Sequence, residues 1–126
     1  MPLYVPVSTS LPFQGSAFLT YSIGPSIEVI EGGYKWRAPG SATINGVAAT
    51  LGTAPASTSM ILDLNINGTT AYTTQGNRPT IAISGTLSTL TLPDVVDVVA
   101  GDLLTLDVDQ TDAAAQNLVV VVSLGV

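Results

Sequence analysis

The chain is 126 residues long, 46% apolar and only 10% charged, with three basic residues against nine carboxylates and a formal charge of −6. It contains no cysteine and no histidine, which removes disulfides, thiolate metal sites, a Cys nucleophile and the Ser-His pairing of most nucleophilic hydrolases. Lys35, Arg37 and Arg78 are the only basic side chains, so the counterion release that drives nucleic-acid binding has almost nothing to act through, and no nucleic-acid partner is expected.

Residues 1 to 16 contain Pro2, Pro6, Pro12, the Ser8-Thr9-Ser10 cluster and Gly15, a composition that suits an extended N-terminal arm better than a packed strand. Leu3, Tyr4, Val5 and Val7 make the arm apolar enough to dock on a partner. The plainer reading of the same residues is a loose terminus or a first edge strand. Residues 17–126 are read as one domain.

From Ala17 onward short strand-like runs are divided by Gly and Pro. Phe18 to Ile23 meets Gly24-Pro25, Ile27 to Glu31 meets Gly32-Gly33, and Tyr34 to Ala38 meets Pro39-Gly40, and each of these dipeptides predicts a stop. Thr43 to Leu51 follows, ending at Gly52. After a polar loop near Pro55 to Ser59, Met60, Leu62, Leu64 and Ile66 alternate with Ile61, Asp63 and Asn65. Asn67-Gly68 then leads into Thr69 to Thr74. This reads as a hairpin, because a type I′ turn needs positive φ at both central residues and Asn-Gly supplies it at little steric cost.

Thr80 to Ser84 and Leu87 to Leu92 are weaker strand candidates. In Leu103 to Asp109 the residues Leu104, Leu106 and Val108 share one face, with Thr105, Asp107 and Asp109 on the other. Leu118 to Leu124 closes the chain and is apolar on both faces, which predicts a strand that is central in a sheet or covered by a neighbouring subunit. No segment holds a helical period. About eight short strands with Gly- and Pro-rich turns predict an all-β antiparallel sandwich, jelly-roll-like in form.

The first basic residue is Lys35 and three prolines interrupt the first twenty residues, so no export signal is expected. Val119 to Val122 is the densest apolar run, far short of the roughly 20 residues of a membrane-spanning helix, and no membrane partner is expected.

Few residues offer chemistry. Asp107, Asp109 and Asp112 form D-x-D-x-x-D, with Asp94, Asp97 and Asp102 upstream, and are weak candidates for a calcium site. The spacing lacks the glycine and terminal Glu of an EF-hand loop, and the competing reading makes Asp107 and Asp109 the solvent face of an amphipathic strand. Paired carboxylates for glycoside hydrolysis lack a groove signature, and no Gly-rich loop leads into a helix to cradle phosphate. No catalytic residue and no cofactor are expected. Trp36, the single tryptophan, is a candidate partner contact, with Tyr34, Tyr72 and Arg78 beside it as a sugar-binding alternative. Otherwise Tyr34 and Trp36 belong to the core or its rim, and Arg78 pairs with a nearby Asp.

The ordered succession WRAPGSATINGVAATLGTAP, LDLNINGTTAYTT, NRPTI and LPDVVDVVAGDLLTLDVDQ, over residues 34 to 124, resembles a β-sandwich module of tailed bacteriophages that occurs in capsid decoration proteins and in fibre or adsorption proteins. The turn positions Asn67, Gly68, Gly101 and Asp102 match it, whereas a short proline-rich arm stands where longer virion proteins have a shaft. The resemblance implies a virion component on the capsid surface, made in the host cytoplasm. It further implies a decoration or cement protein, a homo-oligomer such as a trimer, whose partner is the major capsid protein. The alternative is a receptor- or carbohydrate-binding tail module. The partner-binding residues expected on this reading are Leu3, Tyr4, Val5, Val7, Trp36 and Arg78.

Overall fold

The computed structural model describes residues 16–125. The arm expected over residues 1 to 16, with Leu3, Tyr4, Val5 and Val7, lies outside the described residues except for Ser16, which opens the first strand. The strands are β1 (Ser16–Ser26), β2 (Ile30–Arg37), β3 (Ala42–Thr53), β4 (Met60–Ile66), β5 (Thr69–Thr70), β6 (Thr80–Ile81), β7 (Asp97–Val98), β8 (Leu103–Gln110) and β9 (Gln116–Gly125), with one 3-10 turn at Gln75–Asn77. They form two antiparallel sheets, one ordered β1-β9-β3-β7 and the other β2-β8-β4-β5 with β6 also on β4. The fold is the antiparallel β-sandwich that the strand spacing predicts.

Alternation explains which side chains meet between the sheets. From the first sheet Ile44, Val47, Leu118, Val120 and Val122 turn inward, and from the second Leu62, Leu64, Leu104, Leu106 and Val108 do the same, each at most 1% exposed. Burial of such side chains stabilises a fold by about 1.5–3 kcal/mol apiece before chain entropy is subtracted. β9 lies between β1 and β3, pairing with both along almost its whole length, which is the central placement that its two apolar faces predict.

The hairpin forms where Asn67-Gly68 places it: φ is 53° at Asn67 and 83° at Gly68, and Ile66 pairs with Thr69 across the turn. Several expected boundaries move. β1 continues through Gly24-Pro25 to Ser26, with a register shift after Ile23. The runs Ile27 to Glu31 and Tyr34 to Ala38 do not form two strands, because Gly32-Gly33 is absorbed as a bulge inside β2, where Gly32 takes φ 65° and Tyr34 φ 47°. Glycine permits the bulge that bends a strand without ending it. The run Thr69 to Thr74 pairs only over Thr69–Thr70, since the chain then turns to bury Tyr72 completely, its hydroxyl 2.9 Å from Thr91 Oγ1.

Leu87 to Leu92 is an irregular strap rather than a strand. It follows the outer edge of β3, where Val47 and Thr91 exchange backbone hydrogen bonds and Leu51 N donates to Thr86 O. At Gly46 an added Cβ would approach Leu90 Cδ1 to 3.1 Å, so glycine lets the strap cross close to β3.

Candidate interaction surfaces

The outward faces of the two sheets differ in chemistry. On the second sheet Asp63 is paired with Asp107 and Asn65 with Thr105 across β4 and β8. Asp63, Asn65 and Thr105 are all less than 9% exposed, and hydrogen bonds satisfy much of this face. Thr70 Oγ1 donates to Asp63 Oδ1 at 2.7 Å, Asn65 Nδ2 to Asp107 Oδ2 at 2.7 Å, and Gly32 N to Asp107 Oδ1 at 2.6 Å. Desolvation pushes the Asp63 carboxyl above its ordinary pKa; the charges of Asp109 and Asp107 add to the rise and the Thr70 hydroxyl opposes it. Like charges directly across a ladder destabilise it, so the donors around this pair are part of what keeps it folded.

Asp112 does different work. Its Oδ2 accepts from Ala56 N, Ser57 N, Ser57 Oγ and Thr58 N, and its Oδ1 from Ala114 N. Hydrogen bonds from backbone N–H groups, Ala114 first and then Ser57 and Thr58, hold its carboxyl well below the usual carboxylate range. The loop before β4 is thereby tied to the loop before β9. Asp102 closes a local turn in the same way, accepting from Val99 N, while Asp94 accepts from Thr74 N, twenty residues away, and ties two loops together.

The calcium candidates do not converge. Asp107 is engaged by Gly32 and Asn65, Asp109 by Arg78 at 2.7 Å, and Asp112 by the loop at Ala56 to Thr58. Among the described residues no group of three acidic side chains is placed to hold a metal ion. Arg78 forms the ion pair with an Asp that its loop position suggests, and its Nε donates to Gln75 O.

The aromatic and basic candidates are not gathered into one site. Trp36, on β2, packs its partly buried ring against the core, while Arg78 lies beyond β4 on the opposite flank of the same sheet. Tyr72 is fully buried and cannot serve as a sugar platform. Tyr34 is 39% exposed and stacks edge-on against Tyr21, ring centroids 6.1 Å apart.

The first sheet presents an outward face of another kind. Thr20, Val121 and Ala48 stand side by side across β1, β9 and β3, as do Ser22, Val119 and Thr50, with Phe18 opposite Ser123 at one end. Phe18 is 69% exposed. None of β1, β3 and β9 contains a charged residue. Beside this face the strap exposes Leu87, Leu90 and Leu92 by 56% or more. Sequence reading singled out the apolar last strand but missed Phe18 and the three leucines. The signal was there as charge-free segments, although their convergence on one sheet depends on a strand order that spacing does not give.

No family model matches the chain, and no curated protein does. Among solved structures it is similar to a chain titled "Cyanophage Pam1 capsid asymmetric unit", with a TM-score of 0.51 and 15% sequence identity, covering 100% of this chain and 94% of that one. At that identity the likeness establishes a shared fold.

Proposed function

We propose that the chain is a structural protein of a bacteriophage virion, a decoration or cement protein that sits on the capsid surface and stabilises the head. In this reading it is a homotrimer whose partner is the major capsid protein, and it is made in the host cytoplasm. The observation that carries the reading is the full-length fold match to a chain of a phage capsid assembly. The strand order supports it: we read β1-β9-β3-β7 facing β2-β8-β4-β5 as a jelly roll, an architecture common in viral capsid domains. The sequence resemblance to phage decoration and adsorption modules points the same way, as does the interaction-rich and chemistry-poor inventory of side chains. The role is structural rather than catalytic. Residues 1 to 15 are assigned as the arm that grips the capsid, with Leu3, Tyr4, Val5 and Val7 as its apolar contacts.

The test is reconstitution. Purified protein mixed with undecorated heads should add density to the capsid surface in a low-resolution reconstruction, and protein lacking residues 1–15 should fold yet fail to add it. Density confined to the tail would replace this reading with an adsorption module. Full retention of head binding by the truncated protein would remove the arm from the mechanism.

A further inference from the structure

We infer that the outward face of the first sheet, together with the open edge of β1, binds a second copy of this chain. This deepens the proposed function by naming the surface through which its subunits would meet. It rests on that reading only for its setting, since self-association is measured in solution without any capsid.

The first argument concerns edges. An exposed strand edge offers unpaired N–H and C=O groups to any passing strand, and proteins protect such edges with short strands, bulges, charges or covering loops. Three of the four sheet edges here are protected. β7 is two residues long and the strap covers the neighbouring stretch of β3. β2 carries Glu31, Lys35, Arg37 and two register shifts. β5 and β6 are two residues each. β1 has none of these devices from Ser16 to Ile23. Its eight residues there pair with Gly125 to Leu118 without a shift, contain no charge and no proline, and have no partner on their other side among the described residues.

The second argument concerns charge and selects the occupant. Each copy carries −6, so two copies repel wherever their carboxylates approach. β1, β3 and β9 are free of charge, and of the first sheet's strands only β7 carries one, Asp97. Identical acidic molecules meet at least electrostatic cost through these strands. Contact there covers Phe18, Val121 and Val119, which gives an apolar centre, while an edge-to-edge contact at β1 supplies backbone hydrogen bonds that need no sequence complementarity.

Sedimentation of the full chain over a concentration series tests the inference. The wild type should associate. The doubly substituted protein Phe18→Lys/Val121→Lys, altered only at outward positions, should keep its circular dichroism spectrum and associate at least about 100-fold more weakly, because each interface would then bury unpaired ammonium groups. Lys35→Glu, on the other sheet, should associate as the wild type does at about 500 mM salt, where its added charge is screened. Hydrogen exchange on the wild type gives an independent reading should the double variant not fold: amides of residues 16–23 should gain protection as concentration rises. A wild type that remains monomeric, an oligomer whose double variant is unaffected, or exchange in residues 16–23 that ignores concentration would each overturn the inference. Concentration-independent protection that disappears on deleting residues 1–15 would also overturn it, by showing that the chain's own arm covers the face. A monomer that still decorates heads would overturn it and leave the virion reading standing, whereas an oligomer that ignores heads would do the reverse.

Discussion

Asp63 and Asp112 are carboxylates in one β-sandwich with opposite consequences for stability. Asp112 is held below its ordinary pKa by backbone donors, so the folded state binds its proton less readily than the unfolded chain does. Its stabilisation is complete above the unfolded value, about 3.9, and is lost as pH falls below that toward the lower folded value. Asp63 is raised by desolvation, so its ionised form is disfavoured in the fold, and the resulting penalty is present at neutral pH and relieved as pH falls through the raised value. Melting curves at several pH values should therefore separate two variants. Asp63→Asn, which keeps an acceptor for Thr70 Oγ1, should raise Tm at pH 7, with the gain vanishing near pH 4. Asp112→Ala should lower Tm at pH 7 by orphaning the N–H groups of Ser57, Thr58 and Ala114, with a smaller loss in more acidic solution. A fall in Tm for Asp63→Asn at pH 7 would contradict the desolvation account.

The same distinction between local and distant causes decides which elements were legible before the structure. The β4-β5 turn was legible because Asn67-Gly68 needs only its own backbone, and β4, β8 and β9 were legible because alternation is written along each strand. Gly68 takes φ 83° with nothing within 4 Å of an added Cβ, so Gly68→Ala isolates the conformational cost and should destabilise by about 1–2 kcal/mol in denaturant titration. Asn67→Gly keeps the turn but removes the bonds to Asp102 Oδ1 and Leu103 N, and a loss there would assign those bonds a share of the hairpin's stability. The bulge inside β2 was not legible, since Gly32-Gly33 resembles a stop until Gly32 N finds Asp107 Oδ1 on β8. The two-residue β7 exists only through its pairing with Ala42 and Thr43. The readings of Asp112 and Tyr72 stayed open for a related reason. Apart from Ala114, the donors to Asp112 lie more than fifty residues away in sequence, and the burial of Tyr72 is a property of the whole sandwich.

At the scale of the molecule, charge is segregated: β2, β4 and β8 carry charged side chains, while β1, β3 and β9 carry none. An assembly built through β1, β3 and β9 is held by apolar and backbone contacts and opposed by long-range repulsion between copies of charge −6. Salt screens that repulsion, with a Debye length shrinking from about 20 Å in dilute buffer to below about 5 Å at half-molar salt, and has little hold on the contacts themselves. Association should therefore strengthen as salt is raised, and strengthen again as pH is lowered from 8 toward about 5, approaching the isoelectric point near 4.1, while Asp112 is still ionised. An interface built on the charged sheet, with Lys35, Arg37 or Arg78 pairing to carboxylates of a neighbour, would respond in the opposite direction and weaken with salt. Sedimentation at about 20 mM and about 500 mM salt separates the two cases, and a dissociation constant that rises with salt would move the interface to the charged face.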